Sequence, residues 1–83
     1  MILDFYAEWC QPCKALAKTL ESLEGIEIQK INIEENAELV EEFKIKSVPT
    51  LIFLNENGEE KHRMVGNVPL TKIKEACGLT DYQ

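Results

Sequence analysis

The 83-residue sequence lacks the features that indicate a membrane protein, a disulfide-stapled secreted domain or a nucleic-acid-binding protein. Its longest apolar stretch, Val48 to Leu54, is interrupted by Pro49, whereas a transmembrane helix needs about twenty apolar residues. Three cysteines are too few, and odd in number, for a disulfide scaffold. Nine Lys and Arg against 15 Asp and Glu give a net charge of -6, which repels phosphate backbones and anionic membranes. We therefore expect neither nucleic acid nor membrane as a partner.

The length and composition favour a single small domain over residues 1–83. Hydrophobic residues make up 45% and charged residues 29% of the chain, which is typical of a globular protein with a thin core. A secretory signal would need a basic segment and then roughly 7 to 15 apolar residues, but Asp4 lies three positions after Met1. We expect a cytoplasmic monomer.

The hydrophobic pattern predicts the element order β-α-β-α-β-β-α, an α/β fold with a four-stranded mixed sheet flanked by three helices. A helix between the first two strands favours a parallel crossover, and Asn57-Gly58 suits a hairpin turn between the last two strands. The predicted strands are residues 1–6, 26–33, 50–55 and 60–65, and the predicted helices are residues 12–24, a short helix capped by Asn36, and a helix from Pro69 or Leu70 to Gly78.

The first predicted helix is marked at both ends. Pro12 suits the first turn, where its missing N–H costs nothing, and Gly25 suits a left-handed C-cap. Cys10 comes just before this helix, so its sulfur is expected near unpaired backbone N–H groups and the positive end of the helix dipole. That environment favours the thiolate and predicts a pKa well below the free value of about 8.5.

Cys10 and Cys13 form a Cys-x-x-Cys pair, which in an intracellular protein is more often catalytic or metal-binding than structural. In the catalytic interpretation, Cys10 attacks a disulfide and Cys13, one helical turn away, resolves the mixed disulfide. The alternative is a binding module in which the pair holds a metal or an iron–sulfur cluster. Cys77 and His62 have suitable ligand types for zinc, but the spacing fits no common zinc pattern, so we expect Cys77 in the core and His62 on a strand.

The run from Asp4 to Lys14, DFYAEWCQPCK, resembles the active-site signature of the thioredoxin family, with Gln11 where glycine is common. The resemblance implies a thioredoxin-like fold and a protein-disulfide reductase that serves electron transport and cell redox homeostasis. It also implies a redox-active Cys10–Cys13 disulfide with no bound cofactor and no metal. The implied partners are disulfide-containing client proteins and a thioredoxin reductase or related dithiol donor.

Asp4 is an ionisable residue in the middle of a predicted buried strand, where an unpartnered carboxylate costs several kcal/mol. Burial would raise its pKa towards neutrality, which suits a general base. The resemblance implies that Asp4 accepts a proton from Cys13 through water. It also places Lys30, on the neighbouring strand, where it modulates this acid; an ordinary exposed strand lysine is the alternative.

Two further segments match the family and imply a client-binding surface. Val48-Pro49-Thr50 is similar to the family's cis-proline loop, in which the residue before the proline offers backbone groups to an extended peptide. Gly66 and Asn67 match the family's glycine loop beside the active site. We expect a shallow apolar rim beside the active site, formed by Trp9, Pro12, Val48, Pro49 and Gly66.

The resemblance covers nearly the whole chain, but thioredoxins usually begin with an additional strand and helix. The chain is thus expected to be a minimal, glutaredoxin-sized form. Gln11 supplies no cationic charge between the cysteines, which favours a reductase over the alternative of an isomerase or oxidase.

Overall fold

The computed structural model describes residues 1–78 and contains the seven elements in the predicted order. The strands are β1 (Ile2–Tyr6), β2 (Ile28–Asn32), β3 (Thr50–Leu54) and β4 (Glu60–Val65), and the helices are α1 (Gln11–Glu21), α2 (Ala37–Glu42) and α3 (Leu70–Cys77). The predicted domain limit at residue 83 lies outside the described residues. None of the helices in residues 1–78 is long and apolar enough to cross a membrane.

The four strands form one mixed sheet in the order β2-β1-β3-β4, as predicted. β1 pairs with β2 in parallel and with β3 antiparallel, and β3 pairs with β4 antiparallel. Because β1 lies between two strands and is covered on both faces, four of its five residues are buried. This explains why its sequence is apolar at consecutive positions rather than at alternate ones.

Helices pack on both faces of the sheet and divide the core into two layers. On one face, Leu16 and Leu20 of α1 and Ile73 of α3 pack with Ile2, Leu51 and Phe53 of the sheet. On the other face, Leu39 and Val40 of α2 and the following Phe43 pack against Leu3, Phe5, Ile31 and Ile52. The side chains of successive residues in β1 therefore enter opposite layers, which places Asp4 on the same side of the sheet as α1.

The first helix ends earlier than the sequence predicts. α1 stops at Glu21 because the next N–H groups bond to carbonyls only three residues back: Ser22 to Thr19 at 3.2 Å and Leu23 to Leu20 at 3.0 Å. This tightening ends the α-helical pattern. Gly25 is left-handed as expected, with φ 83°, but it lies in the turn after the helix and does not cap it.

Asn36 is the N-cap residue of α2, as predicted, but its side chain does not act as the cap. Its side chain makes no capping hydrogen bond to α2, and its Nδ2 group instead donates to the carbonyl oxygen of Asn32 at 2.9 Å. Asn36 thus ties the start of α2 to the end of β2. β2 itself is shorter than predicted and spans Ile28–Asn32.

Lys44 follows the end of α2 in a left-handed conformation, with φ 54°, and is the only non-glycine residue in positions 1–78 with a positive φ. The helix ends through hydrogen bonds from the N–H of Lys44 to Glu41 and from the N–H of Ile45 to Val40. A left-handed residue at this position is usually glycine, because a Cβ atom then crowds the backbone. Lys44 is therefore held in a conformation unfavourable for its residue type.

We predict that Lys44→Gly raises the free energy of unfolding by about 0.5 to 1 kcal/mol. Relief of the backbone crowding exceeds the entropy that glycine adds to the unfolded chain. Urea unfolding would measure the difference. Lys46→Gly, which removes the same charge at a residue without a positive φ, should lower the stability instead; a gain in both variants would contradict the explanation.

Candidate active site

Cys10 is the N-cap residue of α1, and Cys13 lies in the first turn of the same helix. The Cys10 backbone is extended, with φ -94° and ψ 109°, and its Sγ accepts a hydrogen bond from the N–H of Cys13 at 3.2 Å. The two Cα atoms are 5.2 Å apart, and the residues form a disulfide. The sulfur of Cys10 thus occupies the place where a polar capping atom normally satisfies a free helix N–H group.

The disulfide lies almost entirely below the protein surface. Cys10 is 4% exposed and Cys13 is 5% exposed, and with Ala7 they form a small apolar cluster. Tyr6, Ile33 and Val48 pack against this cluster. The two cysteines are therefore largely shielded from solvent, and Val48 stands beside them.

The Val48–Pro49 peptide bond is cis, as the resemblance implies. Pro49 is fully buried, and its carbonyl oxygen accepts a hydrogen bond from the N–H of Gly66 at 2.9 Å. Gly66 itself is left-handed, with φ 94°, and apart from its chain neighbours no atom of the described residues lies within 4 Å of where its side chain would begin. This hydrogen bond joins the cis-proline loop to the loop of Gly66 and Asn67, and open space remains above Gly66.

Trp9 is a surface residue and is 64% exposed. Its indole Nε1 group donates a hydrogen bond to Glu34 Oε2 at 2.9 Å. Trp9 and Val48 line a cavity of about 360 Å³, whose other lining residues are Ile33, Val40, Ile45, Lys46 and Ser47. The indole is thus held by Glu34 at the edge of a mainly apolar groove.

Asp4 is 2% exposed, and its Oδ1 atom has no hydrogen-bond partner within residues 1–78. Burial raises its pKa from the ordinary value of 3.8 to about 6, and the nearby charge of Lys30 opposes this rise. Lys30 is the register partner of Asp4 on β2. Both residues line a second cavity of about 360 Å³, together with Cys13, Tyr6, Ala7, Glu8, Lys14 and Ala17.

The predicted residues therefore fall on two sides of the disulfide. Asp4 and Lys30 share a cavity with Cys13, whereas Trp9 and Val48 share a groove on the other side. The remaining predicted residues are Gln11, Pro12 and Asn67, which are exposed, and Gly66, which is joined to Pro49.

Glu34 is a site residue that the sequence did not reveal. The sequence pattern that could have indicated Glu34 is its position after the second strand. Because β1 and β2 are parallel, the segments that follow their carboxyl ends meet at one edge of the sheet. Trp9 follows β1 and Glu34 follows β2, which brings them together. An acidic residue just after the second strand is therefore placed to reach the residue before Cys10.

The zinc alternative is not supported by the placement of its ligands. Cys77 is half-buried against the core layer that contains Ile73, and the His62 ring lies beside that of Phe53, with centroids 5.7 Å apart. Within the described part of the chain, no group of three or more His, Cys, Asp and Glu side chains is arranged to hold a metal ion.

We predict that Asp4→Asn stabilises the protein at about pH 7 by up to about 3 kcal/mol. The pKa of Asp4 is higher in the folded state, at about 6, than the 3.8 expected on unfolding, so the folded state holds the proton more tightly. The contribution of Asp4 to wild-type stability should then fall as pH rises from about 4 to about 6 and stay low above that range.

Urea unfolding of both proteins at about pH 4 and about pH 7 measures this effect. At pH 4 the Asp4 carboxyl is largely protonated in the folded protein, so most of the advantage of the variant should vanish there. An equal advantage at both pH values would show that side-chain ionisation is not its cause.

We predict that Glu34→Ala mobilises the indole ring of Trp9, because it removes the carboxylate that accepts the Nε1 hydrogen bond. Trp9 is the single tryptophan, so its indole N–H gives one NMR signal and its fluorescence is unambiguous. The indole heteronuclear NOE should fall in Glu34→Ala and persist in Glu34→Gln, which retains an acceptor oxygen. Equal values in the two variants would mean that packing, not Glu34, orders the ring.

Comparison with known proteins identifies the family of the chain. A thioredoxin family model matches residues 1–78. The thioredoxin of Mycoplasma pneumoniae is 40% identical over 77 residues, which cover 88% of this chain and 74% of that protein. The thioredoxin of Chlamydia caviae is 44% identical over 70 residues, which cover 80% of this chain and 68% of that protein.

Solved structures show the same fold. Fasciola hepatica thioredoxin superposes with a TM-score of 0.83 and 30% identity, covering 93% of this chain and 76% of that one. Thioredoxin-2, described as a component of malaria parasite protein secretion machinery, has a TM-score of 0.85 and 27% identity, covering 93% and 79%. The chain therefore belongs to the thioredoxin family and is a protein-disulfide oxidoreductase whose redox group is the Cys10–Cys13 pair.

Proposed function

We propose that this oxidoreductase reduces protein disulfides, with Cys10 as the nucleophile and Cys13 as the resolving thiol. The observation that carries the assignment is the position of Cys10 Sγ at the N-cap of α1, where the Cys13 N–H points at it from 3.2 Å. A helix N-terminus and a donated hydrogen bond both stabilise a thiolate. Cys13 is inside the first turn and takes the second step.

The reaction moves two electrons from the dithiol to the client. The Cys10 thiolate attacks one sulfur of the client disulfide, the client S–S bond breaks, and the released client thiolate takes up a proton. Cys13 then loses its proton and attacks the Cys10 sulfur, so that the mixed disulfide breaks and the second client thiolate leaves. The products are the reduced client and the Cys10–Cys13 disulfide.

Asp4 is the proton acceptor for Cys13 in this scheme. Support comes from the cavity that both residues line, and from the pKa of about 6 that burial gives to Asp4. A carboxylate with a pKa near neutrality is mostly ionised at pH 7 and still accepts a proton readily. Lys30 lines the same cavity and limits the rise in the pKa of Asp4.

The client peptide binds between Trp9 and the loop of Gly66 and Asn67. Val48 lies next to the disulfide and offers its backbone groups, while the space above Gly66 admits a peptide backbone. Pro12 adds exposed apolar surface in the first turn of α1. Pro49 is buried, so its role is to position Val48 and Gly66 rather than to contact the client.

The direction of the reaction is reduction, because Gln11 is uncharged and supplies no cation that would further stabilise the Cys10 thiolate. A reducing direction suits the cytoplasm, where thiols are kept reduced. The protein would work there as a monomer and be recycled by a thioredoxin reductase or another dithiol donor.

We predict that Cys13→Ser accumulates a mixed disulfide with a disulfide-containing protein, because a hydroxyl at this position cannot release Cys10. Non-reducing mass spectrometry would detect an adduct through Cys10 that a thiol reductant removes. Burial raises the pKa of the Cys77 thiol, so Cys77 is a poor competitor, and the experiment is best done with Cys77→Ser in the background. An adduct that persists when Cys10 is replaced by serine would overturn the assignment.

We also predict a two-electron transition near the roughly -270 mV typical of thioredoxin. Trp9 stands directly before Cys10, so its fluorescence in dithiol buffers should report the transition, with thiol alkylation as a check. A potential of about -180 to -120 mV would instead indicate isomerase or oxidase work.

A further inference from the structure

Three of the nine Lys and Arg residues of this acidic chain converge on one cavity of about 390 Å³ beside the active site. We name it the basic subsite. It lies between the connection from α2 to β3 and the end of β4, and it is lined by Lys44, Lys46, Ser47, Thr50, Arg63 and Val65.

The positive charge in excess comes from Lys44 and Lys46. Arg63 is already neutralised by Glu60, with 2.7 Å between Nε and Oε2, and its Nη2 group donates to the carbonyl oxygen of Phe43 at 2.8 Å. Arg63 therefore ties the end of α2 to β4. Lys44 and Lys46 form no ion pair and donate no side-chain hydrogen bond within residues 1–78, so both charges stay available.

The backbone at Lys44 strengthens the case for a ligand. Lys44 keeps a left-handed conformation that glycine would adopt at lower free energy, and its charged group makes no polar contact that offsets this within the described fold. The carbonyl oxygen of the preceding residue, Phe43, accepts a hydrogen bond from Arg63. Lys44 and Lys46 are both exposed, so their charged groups are accessible to a ligand.

The basic subsite is continuous with the client-binding surface. Lys46 and Ser47 also line the groove of Trp9 and Val48. Val65 is 57% exposed and precedes Gly66 in the chain, while Ser47 precedes Val48. A peptide lying across Val48 and Gly66 therefore passes the mouth of this cavity.

We propose that the basic subsite binds an acidic side chain of the client, near the disulfide that is reduced. This inference rests on the proposed function and adds a substrate preference to it. The carboxylate meets Lys44 and Lys46, and its aliphatic stem lies on Val65. An exposed lysine pair holds a free anion weakly, but an acidic side chain belongs to a peptide already bound at Val48, so its effective concentration is high.

The proposed preference for acidic clients is opposite to the effect expected from the net charge of the protein. A net charge of -6 repels acidic peptides at long range, so an overall electrostatic effect would favour a neutral client. Faster reduction of an acidic client then requires a local cationic site. This difference in sign makes the test decisive.

The test uses two disulfide peptides of equal length that differ only in Glu or Gln on either side of the disulfide. We expect kcat/KM of the wild-type protein to be about 5-fold higher for the acidic peptide at low salt, and about equal for both in about 0.5 M NaCl. In Lys44→Gly combined with Lys46→Gln, the ratio of the two kcat/KM values should fall to about one or below.

The matched control is Lys61→Gln combined with Lys72→Gln, which changes the net charge by the same amount. Lys61 lines a separate cavity with Met1 and Cys77, and Lys72 lies on α3, outside the basic subsite. The control should keep the wild-type ratio. An equal loss in the control would assign the preference to general electrostatics and overturn the proposal.

The other outcomes separate the subsite from the proposed function. If neither peptide is reduced, reductase activity itself fails; if both are reduced at equal kcat/KM at low salt, only the subsite fails. NMR titration with inorganic phosphate tests whether the cavity binds a small free anion rather than an acidic side chain. Shifts at Lys44 and Ser47 with phosphate, but not with the acidic peptide bound to Cys10 of Cys13→Ser, would reassign the cavity to a small anion and overturn the proposal.

Discussion

The burial of β1 between β2 and β3 is the constraint on which the active site depends. The strand ends at Tyr6, and a short loop leads directly to Cys10 at the N-cap of α1. Because β1 is covered on both faces, its one carboxylate, Asp4, must lie in the core on the side of α1. The same pairing sets the end of β2 beside the end of β1, which brings Glu34 to Trp9.

The residues around the disulfide lower the stability of the fold. A thin core carries a carboxylate oxygen without a partner in residues 1–78, and ionisation of Asp4 at neutral pH opposes folding. A free helix N–H group is satisfied by Cys10 Sγ rather than by a hydroxyl or carboxylate, which are stronger acceptors. Groups that destabilise the fold are thus concentrated around the disulfide, and such groups cluster at functional sites in proteins generally.

Charge is distributed unevenly over this acidic molecule. α2 and the segment before it present exposed glutamates, yet Lys44 and Lys46 follow α2 at once and line a cavity that adjoins the groove. The groove itself is mainly apolar and is bordered by Trp9 and Val48. The surface is therefore apolar next to the disulfide and cationic immediately beyond it.

The sequence by itself determined the element order, the parallel first pair of strands, the position of Cys10 at a helix start and the burial of Asp4. Each of these follows from local periodicity or from a residue's own backbone preference. The sequence did not predict the end of α1 or the role of Asn36. Both depend on hydrogen bonds that compete with the regular α-helical pattern, and the residue types alone do not show which bonds form. Only the tertiary structure decided the link from Glu34 to Trp9 and the meeting of Lys44, Lys46 and Arg63. These contacts join separate segments of the chain and depend on strand register and helix placement, which no local pattern records.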